Sequence, residues 1–193
     1  KAVLVGAGAA GVAIAKLLNL YAPGIDIIAV DSKGIISHSR SDLNDSKKAL
    51  LAFTNPSDVS GSLAEALQGA DIFLGVSQPG LLTKSMIKTM ARSPIIFAMA
   101  NPTPEIMPAD ALKAGAAVVA TGRSDFPNQV NNALAFPGIF RGALDNSVAR
   151  ITDQHKIAAA EAIADLVADP SPEQIVPAVT DPRLVPAIAA LIK

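Results

Sequence analysis

The chain has no cysteine and no tryptophan, one tyrosine and two histidines. Without cysteine there is no disulfide framework, no thiolate metal site and no cysteine nucleophile. The composition suits a reducing compartment, and a cytoplasmic location is the expectation. His38 and His155 lie far apart, and neither has a partner at metal-ligand spacing, so both read as surface residues. Tyr21 ends the first helical pattern and reads as a packing residue rather than an acid. No apolar run approaches the roughly 18 residues of a membrane span, and no charged n-region with an h-region opens the chain. A soluble protein without membrane contact is therefore expected. Neither sign of charge dominates: 16 basic against 17 acidic side chains give a net charge of −1, with no block of like charge. That excludes a nucleic-acid footprint and a polybasic membrane patch. The chain opens at Lys1 rather than Met, with a strand pattern following at once, and reads as a piece of a longer polypeptide.

What is present is apolar and periodic. Half of the 193 residues are hydrophobic (50%), enough for a sizeable core near the upper end of the single-domain range, and residues 1–193 are expected to form one dinucleotide-binding domain. Short apolar runs recur at residues 2–5, 27–30, 72–74, 95–98 and 117–120. Helical patterns at 10–20, 62–67, 83–90 and 108–113 separate them, with Pro108 suited to a first helical turn. The alternation predicts an α/β fold with a doubly wound, mostly parallel sheet covered on both faces. After Thr121 the texture changes. Gly122, Pro127, Pro137, Gly138 and Gly142 interrupt it, predicting a long irregular connection of the kind that carries function. A helix is expected from Thr152 to about Val167, a break at 169–172 and a last short helix over 184–192.

Gly6, Gly8 and Gly11 form G-x-G-x-x-G directly between the first strand pattern and an Ala-rich helix. Gly6 permits the tight turn, Gly8 lets the backbone approach a pyrophosphate, and Gly11 lets helix and strand pack closely. The unpaired amides of the first helical turn, at Ala9, Ala10 and Gly11, would face the phosphates, aided by the helix dipole. The second strand ends at Asp31, about 20 residues beyond Gly11, where an acid meets the adenosine ribose. An ordinary turn with a solvated strand end is the alternative for the same residues. Asp31 favours NAD, because a carboxylate about 4 Å from a 2′-phosphate costs on the order of 4 kcal/mol per charge pair at an effective dielectric near 20. Ser32, Lys33 and Arg40 close by keep NADP open.

Ligands of open α/β sheets sit outside the carboxyl ends of the strands. There the later strands run into Gly75, Val76 and Ser77, into Asn101 and the prolines that follow, and into Thr121 to Asp125. Asn101, Asn131 and Asn132 offer neutral amides suited to holding a hydroxyl and a carboxylate of a small substrate, although asparagine is also a common cap and turn former. Asp42, Asp45, Asp125 and Asp145 form no recognisable metal cluster and read as caps or solvated charges. No general acid/base pair is visible, although a hydride-transferring enzyme needs a group to take the hydroxyl proton.

Four strings carry a resemblance: G-A-G-A-A-G-x-A-I-A at Gly6 to Ala15, V-D-S-K-G at Val30 to Gly34, A-N-P-T-P-E-I at Ala100 to Ile106, and the run from Thr121 to Asp145. Together they resemble the NAD(P)-binding domain of bacterial-type malic enzymes, over nearly the whole chain and thinning after about Asp169. The resemblance implies oxidative decarboxylation of malate to pyruvate and carbon dioxide with NAD or NADP. It also implies a divalent metal, Mg²⁺ or Mn²⁺, that polarises the keto oxygen. It makes Asn101, Asn131 and Asn132 substrate-orienting amides, Gly75 to Ser77 the loop under the cofactor, and Asp31 and Ser32 ribose-side residues. The family's catalytic Tyr and Lys and its metal-binding acids precede the glycine loop, so this fragment is expected to lack them and to be inactive alone. The intact enzyme is expected to be a homo-oligomer. An amino-acid-dehydrogenase-like domain and a non-catalytic nucleotide sensor are the competing readings.

Overall fold

The computed structural model describes residues 1–193. The chain packs as two units, residues 1–121 and 122–193, within the span expected to be one domain. The first unit contains β1 (Ala2–Val5), α1 (Ala9–Tyr21), β2 (Ile27–Asp31), β3 (Gly34–Ile35), α2 (Asp45–Leu50) and α3 (Leu63–Ala66). It continues with β4 (Ile72–Gly75), α4 (Lys84–Ile87), β5 (Ile95–Ala98), α5 (Pro108–Lys113) and β6 (Val118–Thr121). The second contains α6 (Phe136–Asp145), α7 (Asp153–Asp165) and α8 (Leu184–Ala189).

The six strands are ordered β3-β2-β1-β4-β5-β6 and are parallel except for β3, which runs antiparallel to β2. Successive residues of a strand point to opposite faces. Val3, Val5, Ile28, Val30 and Phe73 therefore enter one core with Leu67, Ile87 and Ala111, while Leu4 and Ala29 enter another with Ala15, Ile36 and Leu50. Burial of both faces explains why these strands read as unbroken apolar runs. The order reverses between β1 and β4. Val5 is in register with Val30 and Gly75, Gly75 with Ala98, and Ala98 with Thr121, so the carboxyl ends form one row.

The structure departs from expectation in further places. The sixth strand is Val118–Thr121, one residue later than expected. Two elements were not expected, β3 and α2. β3 is too short to show alternation, and α2 starts where the Asn44 side chain accepts the Lys47 amide at 2.9 Å. The segment after Thr121 is not irregular throughout: Pro137 sits in the first turn of the ten-residue helix α6, and Gly138 and Gly142 lie inside it. Tyr21 is 60% exposed, so it contributes little packing.

The second unit has its own core of Leu134, Ala159, Ala162, Leu184, Ile188 and Ile192. A Cβ on Gly138 would lie 2.6 Å from the Ile188 Cβ, and one on Gly142 would lie 2.6 Å from the Ala189 carbonyl oxygen. The two glycines, one turn apart, are what let α6 and α8 pack this closely. Thr152 and His155 close a capping box at the start of α7.

Candidate functional site

The glycine turn follows from contacts made by main chain alone. Gly6 has φ +109°, a region open to glycine, and its amide donates to the Val30 carbonyl at 2.9 Å. A Cβ there would lie 2.5 Å from the Val76 carbonyl oxygen, and a Cβ on Gly11 would run into the Gly6 carbonyl oxygen. Gly8 differs: a Cβ added there would meet nothing within 4 Å. The fold thus forbids side chains at Gly6 and Gly11 but not at Gly8, where the bare main chain faces open space. Gly8, Ala9 and Ala10 are exposed, no side chain caps α1, and its first turn holds no acid. Val12 donates to the Gly8 carbonyl at 3.0 Å, while the amides of Ala9, Ala10 and Gly11 lack a carbonyl four residues back within the helix. Three donors at the positive end of a helix dipole suit a pyrophosphate.

Asp31 ends β2 with its side chain only 7% exposed. Its Oδ1 accepts from the Lys33 amide at 2.9 Å and Arg40 Nη1 at 2.8 Å; its Oδ2 accepts from Arg40 Nη2 at 3.0 Å and Lys47 Nζ at 2.6 Å. These four donors match the roughly four lone-pair positions of a carboxylate. Burial pushes the Asp31 carboxyl up, but hydrogen bonds from Arg40, Lys47 and the Lys33 amide outweigh it and lower it from 3.8 to about 2. Arg40 also holds Asp42 through Nε at 3.0 Å and Nη2 at 2.8 Å, and Lys33 Nζ reaches Asp42 at 3.0 Å. Those contacts hold Asp42 below the usual carboxylate range and Arg40 above its own. The cluster carries three cations against two carboxylates.

A cleft of about 330 Å³ opens beside Asp31, lined by Ser32, Leu63, Ser77, Gln78 and Leu81 among others. The glycine turn, Asp31, Ser32 and Ser77 all lie along the row of strand ends in the first unit. Gly75 is buried rather than lining the cleft, and a Cβ there would lie 2.5 Å from Glu105 Cδ. Val76 donates its amide to Val5 at 2.9 Å, which ties the loop after β4 to β1. Asn101 is exposed just beyond β5. Asn131 and Asn132 belong to the second unit, where the Asn131 side chain accepts the Ala133 amide at 2.9 Å and Asn132 begins a short 3₁₀ turn. Asp125 pairs with Arg123 at 2.7 Å and Asp145 with Arg141 at 2.6 Å, while Asp45 lies in the first turn of α2. No three His, Cys, Asp or Glu side chains come together as a metal site.

Leu63, Leu81 and Lys47 escaped the sequence reading. Leu63 was signalled by the capping box of Ser62 and Glu65, which starts α3 beside the cleft. Lys47 had no local signal, because it reaches Asp31 from 16 residues away by tertiary folding.

A parallel sheet with a glycine turn at its switch point and an acid ending the next strand defines a Rossmann-type dinucleotide-binding domain. The chain belongs to the malic enzyme family: residues 1–191 match the family described as "Malic enzyme, NAD binding domain". The bifunctional malic/malolactic enzyme of Bacillus subtilis is 56% identical over 100% of this chain and 47% of that protein. The NADP-dependent malic enzyme of Rhizobium meliloti is 46% identical over 97% of this chain and 27% of that protein. The crystal structure of an NAD-dependent malic enzyme from Thermotoga maritima matches with a TM-score of 0.95 at 45% identity, covering 100% of this chain and 51% of that one. The chain thus spans about half or less of the length of these relatives.

Proposed function

We propose that this chain is the coenzyme-holding part of an enzyme that oxidatively decarboxylates malate to pyruvate and carbon dioxide, with NAD as its coenzyme. The observation that carries this reading is the cradle at Gly8, open to a ligand where Gly6 and Gly11 are closed by the fold. The amides of Ala9, Ala10 and Gly11 would hold the pyrophosphate, Leu63 and Leu81 would offer apolar contact to the adenine, and Asp31 with Ser32 would meet the ribose. When bound, NAD supplies the hydride acceptor for C2 of malate. Asn101, exposed just beyond β5, would orient the hydroxyl or a carboxylate of the substrate, and the loop of Val76 and Ser77 would border the coenzyme. The residues of this chain do not fit a divalent metal, since no three possible ligands converge, so no metal-assisted step is assigned to them. A cytoplasmic homo-oligomer is the setting we expect.

Asp31 is fully occupied, so a ribose hydroxyl reaches it only by displacing a donor, and the single bond from Lys47 is the one most simply released. The same cations support NADP as a second reading: Arg40 and Lys47 bind Asp31, Lys33 binds Asp42, and cations beside the ribose-side acid suit a 2′-phosphate. Titrating NADH and NADPH into the intact protein distinguishes the two, with the fluorescence of the reduced coenzyme as signal. For an NAD site, Asp31→Ala weakens NADH binding about tenfold, and Lys47→Ala leaves it unchanged or tighter. Unchanged NADH affinity in Asp31→Ala removes Asp31 from this role. A selective loss of NADPH affinity in Lys47→Ala establishes the NADP reading instead.

A further inference from the structure

Glu105 is a fully buried carboxylate with no cation beside it and no place in the reading above. It lies five residues beyond Ala100 in the loop that follows β5. Its Oε1 accepts the Ser77 amide at 3.0 Å and its Oε2 accepts the Ala100 amide at 3.0 Å. The backbone beside it continues the same link. Gly80 donates to the Pro104 carbonyl at 3.1 Å, and Leu82 donates to the Glu105 carbonyl at 3.0 Å. Gly75, the last residue of β4, lacks a side chain just where the carboxylate sits, since a Cβ would lie 2.5 Å from Glu105 Cδ and 2.6 Å from Oε1. Buried polar oxygens require hydrogen-bond partners, and here both oxygens receive main-chain donors.

The two amides belong to loops with different duties. Ser77 lines the cleft beside Asp31, and Ala100 immediately precedes Asn101. Val76, next to Ser77, presses its carbonyl against Gly6 of the phosphate turn. We propose that Glu105 is a positioning residue: its single carboxylate ties the loop after β4 to the loop after β5, so that the coenzyme-facing Ser77 and the substrate-facing Asn101 are set together. This rests on the dinucleotide reading for its consequence, but the tie itself is a matter of hydrogen bonding alone. Glutamine at this position keeps the shape and accepts one amide, yet turns an N–H donor toward the other, leaving a buried donor unpaired.

The test combines residue-resolved amide exchange with NADH titration of the intact protein. In the wild type, the Ser77 and Ala100 amides exchange slowly and with matching opening equilibria, because one group holds both. In Glu105→Gln both lose protection together while the amides of β1 and β2 keep theirs. At a temperature well below the melting midpoint of the variant, the NADH dissociation constant rises about tenfold. Glu105→Asp, which keeps two acceptor oxygens on a side chain one methylene shorter, recovers part of that loss. Independent opening of the two amides in the wild type overturns the proposal, as does wild-type NADH affinity in Glu105→Gln. So does protection lost evenly across the sheet, which marks a general fold defect. If Glu105→Gln does not fold, the wild-type exchange comparison decides. A wild-type protein that binds neither NADH nor NADPH removes the dinucleotide reading, while amide exchange still judges the tie.

Discussion

The three glycines of the turn between β1 and α1 make different demands, and substitution by alanine separates them. At Gly8 the added methyl meets no protein atom, and φ is an ordinary −83°. Gly8→Ala is expected to keep the wild-type melting midpoint while binding NADH at least about tenfold more weakly. At Gly11 the methyl runs into the Gly6 carbonyl, so Gly11→Ala is expected to lower stability by about 1–3 kcal/mol in denaturant titration. Asp31 gives a pH signature. Its folded carboxyl, about 2, lies below the ordinary 3.8, so its contribution is complete above about pH 4 and is lost as pH falls through 2. That contribution is about 2 kcal/mol. The comparison to make is of acid unfolding in the wild type and in Asp31→Asn, which should have a flatter stability profile between pH 4 and 2.

At the level of elements, α6 shows how a helix can be hidden by its own packing. Glycine and proline ordinarily punctuate helices, and Pro137, Gly138 and Gly142 together read as a loop. Pro137 is harmless in the first turn, where its missing amide hydrogen has no partner to lose. The two glycines are required by α8, whose Ile188 and Ala189 occupy the space their side chains would take. Gly142→Ala, which raises helix propensity, is nevertheless expected to destabilise the second unit by about 1–3 kcal/mol. A rise in the midpoint of its denaturant transition would show that α6 and α8 can move apart. The strands were easier to find, because both faces are buried and each run is apolar throughout. α3 and α7 carry their own start signals in Ser62 with Glu65 and Thr152 with His155.

For the whole molecule, the proposed coenzyme site lies along the carboxyl ends of the strands in the first unit, and no group of three metal-binding side chains forms anywhere in the chain. The 193-residue chain is therefore expected to bind dinucleotide yet to show no malate-dependent NADH formation with Mn²⁺ present. Turnover above background would mean that the residues here suffice for the chemistry.

The amino-acid sequence alone determined the strand-and-helix alternation, the glycine turn, the acid that follows it and the family resemblance, because each is written in neighbouring residues or in spacing along one chain segment. Only the tertiary structure decided that Lys47 and Arg40 occupy Asp31, that Glu105 joins two loops, and that Gly138 and Gly142 are helical. Each of these depends on groups far apart in sequence meeting within hydrogen-bond or van der Waals reach, and sequence spacing does not encode such distances.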